Sequence, residues 1–118
     1  TRPDTGFVRW GWASGRKAKQ LKLLLKGSSV IVSLWRGKRL VGFGRATSDK
    51  IYRAVLWDVV VAGDLQGQGL GRKVVEALLE AKEIVNVERV YLMTTHSANF
   101  YEQLGFKKVH GQQLLIKE

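Results

Sequence analysis

The chain has 118 residues, 45% of them apolar and 25% charged, with a formal net charge of +10. That is enough for one soluble core and too little for two. The absence of cysteine excludes a disulfide framework, a thiolate metal site and a cysteine nucleophile, and two histidines (His96, His110) are too few for an all-histidine zinc site. No apolar stretch approaches the roughly 20 residues of a membrane span, and none reads as a signal peptide.

The basic charge is uneven. Residues 1–59 hold 13 Lys and Arg against three acids, and residues 60–118 hold seven of each. A basic half attracts anions: nucleic acid, an acidic membrane or a phosphorylated cofactor. The same charge also serves as a solvated surface. No polybasic block and no aromatic RNA-binding signature is present.

In chain order, "GFVRW" (6–10) reads as a short first strand within an otherwise irregular start. Residues 15–27 predict a helix with Ala18, Leu21, Leu24 and Leu25 on one face and Gly27 as its stop. Residues 28–35, 39–47 and 51–62 are β-rich and separated by "RGK" and "SDK", which predicts a three-stranded antiparallel meander. A glycine loop follows. Residues 70–85 then predict a helix with Leu70, Val74, Ala77, Leu78 and Ala81 on its apolar face. Residues 88–95 read as a strand, 97–105 as a short helix from Ser97 to Gly105, and 106–118 as two short strands turning at Gly111. The order implies one mixed α/β domain over residues 1–118.

The loop "DLQGQGLGRK" (64–73) sits where a strand hands over to a helix. Glycine removes the side chain, so backbone N–H groups can converge on a ligand, and a helix N-terminus adds free donors and a positive dipole end. A diphosphate suits such a seat. The spacing G-x-G-x-G of Gly67, Gly69 and Gly71 misses the dinucleotide fingerprint, because Arg72 stands where its last glycine belongs. It also misses the P-loop, because Arg72 and Lys73 are followed by no hydroxyl residue. A tight turn without a ligand is the alternative.

"QGQGLG" (Gln66–Gly71) resembles the Q/R-x-x-G-x-G/A motif of the GNAT superfamily of N-acetyltransferases, and "NFYEQLGF" (Asn99–Phe106) resembles its second hallmark, a tyrosine-bearing helix followed by L-G-F. Order and spacing agree over about 90 residues, from Ser28 onward. "LVGFGRATSD" (40–49) and "LWDVVV" (56–61) are similar to the plastid and cyanobacterial branch that includes plant serotonin N-acetyltransferases. The resemblance implies a single-domain GNAT-like α/β (α+β) fold, a mixed, mostly antiparallel sheet flanked by helices with a shortened N-terminal region. It implies acetyl-CoA as co-substrate and no metal. Gln66, Gly67, Gln68, Gly69, Leu70, Gly71 and Arg72 would hold the diphosphate, and the backbone of Val59, Val60 and Val61 the pantetheine arm. The N–H of Val60 or Val61 would polarise the thioester carbonyl. Tyr101 would be the general acid for the thiolate, the alternative being a core aromatic. Many members carry Asn seven positions before that tyrosine; here the position is Thr94.

Asp58, a carboxylate within "AVLWDVVVA", is costly to bury unless paired or functional. In regular alternation Leu56, Asp58 and Val60 share a face. Asp58 is a candidate general base, or else an ion-pair partner of Arg45 or Arg53. His96, at the end of a predicted strand, is a candidate base or water relay, or an ordinary loop histidine. Tyr52, Trp35, Trp57 and Phe43 either line an aromatic acceptor pocket or fill the core. The leading reading is an N-acetyltransferase working by direct transfer in a ternary complex, with an arylalkylamine such as serotonin, another small amine, or a protein lysine or N-terminus as acceptor. A non-catalytic CoA-binding module and a basic nucleic-acid binder are the alternatives. A monomer or homodimer, cytoplasmic or stromal and without membrane attachment, completes the expectation.

Overall fold

A computed structural model of the protein describes Leu23 and residues 25–118. The expected strand at 6–10 and most of the helix at 15–27 lie outside the described residues. The end of that helix is described: Leu23, Leu25 and Lys26 are helical, and Gly27 N–H donates to Leu23 C=O at 3.0 Å.

Three strands follow, β1 (Val30–Arg36), β2 (Arg39–Ser48) and β3 (Arg53–Val61), paired antiparallel in sequence order. Gly37, at φ 57°, closes the β1–β2 hairpin in the left-handed conformation that tight hairpins need. The β2–β3 turn is held by Asp49, whose Oδ1 accepts the N–H groups of Ile51, Tyr52 and Arg53 at 2.8, 2.7 and 3.0 Å. Those N–H groups hold the Asp49 carboxyl below the usual carboxylate range. A lowered pKa means its contribution to stability is present above the ordinary carboxylate value and is lost as pH falls through the folded one. In thermal melts from pH 7 to pH 3, Asp49→Asn is expected to flatten part of the acid loss.

After β3 come a 3₁₀ turn (Gly63–Leu65), helix α1 (Leu70–Glu80), strand β4 (Arg89–Leu92) and helix α2 (Ala98–Gln103). β4 lies parallel to β3, so the sheet β1-β2-β3-β4 is mixed. Among the described residues no helix is long and apolar enough to cross a membrane.

α1 buries Leu70, Val74, Val75 and Leu78, the last three in one cluster with Ala46, Ala54 and Leu56 of the sheet. The helix comes so close to β2 that a Cβ on Gly44 would sit 2.5 Å from Val74 Cγ1 and 2.9 Å from Leu78 Cδ1. Glycine inside a strand here marks a close approach. Gly44→Val is therefore expected to cost about 3 kcal/mol of folding free energy or to prevent folding, measured by urea denaturation. On the other face Leu40 and Phe43 are buried, with Leu25, Ile31 and Trp35 packed against them.

Three expectations need correction. α1 stops at Glu80, not residue 85, because Ala81 turns to an extended conformation and Ile84 enters the core. A continued helix would carry Ile84 about 100° off the buried stripe. Within α1, Val75 is buried and Ala77 exposed, the reverse of the expected face. Residues 106–118 form no strand: Val109, Leu114, Leu115 and Ile116 are exposed. A short hairpin with no third strand beside it has little to hold it.

Candidate active site at the parting of β3 and β4

β3 and β4 pair only from Arg53↔Arg89 to Leu56↔Leu92. The parting coincides with a bulge. Against β2, Leu56 faces Ala46 but Asp58 faces Arg45, so Trp57 is an extra residue in the ladder. A bulge bends and twists its strand, and β3 runs on to Val61 without β4 beside it. The bulge also changes the face assignment. Leu56 belongs to the α1 side, while Asp58 and Val60 pair with Arg45 and Phe43 on the opposite side. The expected shared face of Leu56, Asp58 and Val60 is thus broken by one inserted residue.

The ladder also orients the main chain at the gap. Ala62 N–H donates to Val41 C=O at 2.9 Å. Counting back through an antiparallel ladder, Val60 pairs with Phe43, and Val59 and Val61 turn their N–H and C=O groups away from β2, toward the gap. Of the two N–H groups expected at the carbonyl, that of Val61 faces the right way.

The loop sits at the same end. Gly67 and Gly69 take φ values of 83° and 80°. A Cβ on either would meet nothing within 4 Å, so glycine is there for its conformation and the space before it is open. Gly69 caps α1 with no side-chain hydrogen bond, and the first bond into the helix is Lys73 N–H to Gly69 C=O at 3.2 Å. The N–H groups of Leu70, Gly71 and Arg72 therefore have no acceptor in the helix. Gly71 serves differently: its Cβ would lie 3.4 Å from Phe100 Cζ, so it lets α1 abut α2. Arg72 Nε pairs with Glu76 Oε2 at 3.1 Å along the helix.

Tyr101 follows Phe100 on α2 and faces a groove of about 570 Å³, lined also by Trp57, Tyr91, Met93, Thr94 and Phe106. Its ring meets Phe100 and Phe106 edge-on, at 4.9 and 5.8 Å between centroids. Burial raises the pKa of its phenol. Thr94 Oγ1 accepts the N–H of Ser97 at 3.0 Å, fixing the chain just before α2. Ser97 precedes α2 as expected, although its side chain makes no capping bond.

The other candidates disperse. Asp58 Oδ2 accepts Arg45 Nε at 2.6 Å, with both side chains largely buried (18% and 15% exposed). Arg53 pairs instead with Glu88, at 3.4 Å. His96 is exposed and does not line the groove. Of the four aromatics considered, only Trp57 lines it; Phe43 is buried on the other face with Trp35 against it, and Tyr52 is exposed. Among the described residues no three acidic or histidine side chains gather as a metal site. Asp58→Asn is expected to lower folding stability by about 2 kcal/mol, through the charge left on Arg45, read as a shifted urea midpoint.

Sequence reasoning missed two arginines. Arg36 Nη2 donates to Gln68 Oε1 at 3.1 Å, and Arg39 grips Asp64 with both Nη atoms, at 3.0 and 2.5 Å. Arg39 holds the Asp64 carboxyl below the usual carboxylate range. Their signal was positional: a meander puts the β1–β2 turn at the same end of the sheet as the end of β3.

Residues 3–106 match the Acetyltransferase (GNAT) family. The chain belongs to that family. The match to the GNAT family takes in the glycine loop, β4 and α2, and leaves out residues 107–118. An uncharacterized N-acetyltransferase ycf52 from Pyropia yezoensis is 41% identical over an alignment of 103 residues that, gaps aside, covers 83% of this chain and 59% of that protein. A histone acetyltransferase TAP1 from Glycine max is 34% identical over 109 residues, 82% of this chain and 47% of that one. The GNAT chain thus spans about half the length of these curated relatives. Its fold is that of a GNAT-family protein from Xanthomonas campestris, described as a putative acetyltransferase, with a TM-score of 0.80 and 22% identity over 95% of this chain and 79% of the other.

Proposed function

We propose that the chain is an acetyl-CoA-dependent N-acetyltransferase that passes the acetyl group directly to a primary amine in a ternary complex. One observation carries the reading: the uncapped start of α1, with left-handed Gly67 and Gly69 before it, lies against the unpaired end of β3 and against α2, the helix of Tyr101, since a Cβ on Gly71 would sit 3.7 Å from Val61 Cγ2 and 3.4 Å from Phe100 Cζ. The residues present fit the cofactor. Main-chain donors from Gln66 to Arg72 suit a diphosphate. The outward groups of Val59 and Val61 suit an amide-bearing arm laid along β3 as an added strand. When bound, acetyl-CoA supplies the activated thioester.

The chain's own groups have three tasks. The N–H of Val61 donates to the thioester carbonyl and stabilises the charge that develops there. Tyr101 gives its phenolic proton to the sulfur as the C–S bond breaks and the N–C bond forms. The amine, entering as its neutral free base, loses one proton to solvent, and the Tyr101 oxygen takes one back from solvent. Asp58, tied to Arg45, acts in this reading as a fastener of β2 to β3.

The aromatic part of the groove lining, Trp57, Tyr91, Tyr101 and Phe106, favours a small aromatic amine, of which an arylalkylamine such as serotonin is an example, with Glu102 the acid of a rim that also carries Lys107 and Lys108. The second reading, a protein lysine, is favoured by the name of the soybean relative. Calorimetry with acetyl-CoA, followed by thiol release over a panel of arylalkylamines, other small amines and lysine peptides, tests both. No binding of acetyl-CoA would remove the proposal. Binding without thiol release from any amine would make the chain a CoA-binding module.

A further inference from the structure

We propose that Arg36, on the β1–β2 hairpin, is a movable cationic arm of the diphosphate seat: its guanidinium leaves Gln68 and takes a diphosphate oxygen when the cofactor binds. This rests on the reading of the glycine loop as that seat.

The two arginines of the hairpin are used differently. Arg39 is chelated by Asp64, a charge met by an opposite charge, and this docks the hairpin on the 3₁₀ turn that leads into the loop. Arg36 hydrogen-bonds a neutral amide oxygen, and Arg39 already holds the nearby carboxylate of Asp64. The Arg36 side chain is exposed, so moving it costs little desolvation. Its present partner, Gln68, stands between Gly67 and Gly69, the two left-handed positions of the loop. A guanidinium 3.1 Å from that side chain already stands at the loop whose amides would hold the anion. Exchanging a neutral oxygen for a charged one strengthens the bond, and the planar fork of arginine suits phosphate oxygens. Within the first turn of α1, by comparison, Arg72 is engaged with Glu76. The hairpin therefore supplies a charge that the helix partly withholds.

The test is calorimetric titration of wild type, Arg36→Ala and Arg36→Lys with CoA and with dephospho-CoA, at two salt concentrations. Lys82→Ala removes an equal charge from an exposed site after α1 and serves as control. Arg36→Ala is expected to weaken both ligands about tenfold and to make binding less sensitive to salt. Arg36→Lys should recover most of the loss, and Lys82→Ala should bind as wild type does. Equal binding by wild type and Arg36→Ala would overturn the arm and leave the function standing. A loss confined to CoA would move the contact to the ribose phosphate and overturn the diphosphate assignment. An undiminished salt dependence would make Arg36 a mere latch on the loop. Failure of the wild type to bind either ligand would sink the underlying reading itself.

Discussion

Changing Tyr101 to phenylalanine is expected to lower kcat about 100-fold, with KM for acetyl-CoA within about twofold. The ring is already fixed by Phe100 and Phe106, so removing one oxygen leaves the packing in place. What disappears is the phenolic group that lines the groove and that the proposed reaction uses as proton donor. The loss belongs in kcat because the proton is needed only as the thiolate departs. Burial raises the phenol's pKa above its ordinary value of 10.0, so the donor stays protonated through the neutral range. An alkaline fall in wild-type kcat below pH 10 must then come from another group, and it should persist in the variant measured on its own scale. Steady-state kinetics from pH 6 to pH 10 decide the matter. A kcat equal to wild type would assign Tyr101 to the core.

The second large effect is at Gly69. Gly69→Val is expected to weaken acetyl-CoA binding by about 100-fold or more, and Gly69→Ala by about tenfold. No protein atom stands in the way of a side chain there, so the fold should survive, with a melting temperature lowered only by the backbone strain that the loop fails to relieve. The penalty lies in φ at 80°, which a β-branched residue adopts only under strain. Relief of that strain would reorient the start of α1 and with it the N–H groups of Leu70 and Gly71, which have no acceptor in the helix. A side chain at Gly69 would also enter the space the ligand needs. Calorimetry and thermal melts on the same samples separate the two effects. A variant that keeps its affinity would show that the loop amides do not hold the cofactor. Parallel losses of affinity and melting temperature would make Gly69 a folding residue.

The meander was legible because its β-rich runs are divided by two short polar turns, and both hairpins formed where Gly37 and Asp49 stand. The start of α1 was legible for the same local reason. What escaped was long-range. Nothing in "VLWDVV" marks Trp57 as an extra residue, because Asp58 falls in phase with Leu56 when read by eye. No glycine or proline announces the end of α1. It stops because Ile84 finds a place in the core, a tertiary cause. The ion-pair partner of Asp58 was open between Arg45 and Arg53 until the register put Arg45 opposite it. Arg36 and Arg39 were invisible as site residues, since their partners lie 32 and 25 positions away. Within residues 106–118 the apolar alternation suggested strands, but no ladder formed among the described residues to take them.

The bulge at Trp57 has a consequence for how such a protein can change. The two parallel strands part where one additional link enters the backbone of β3, and such a link bends its strand whatever side chains surround it. Side chains around the rim can therefore grow, shrink or change polarity, and so admit different amines, while the doorway itself stays open. Deleting that one link would instead return β3 to regular pairing with β2, with Asp58 still opposite Arg45, and would remove the bend at which β4 parts from it.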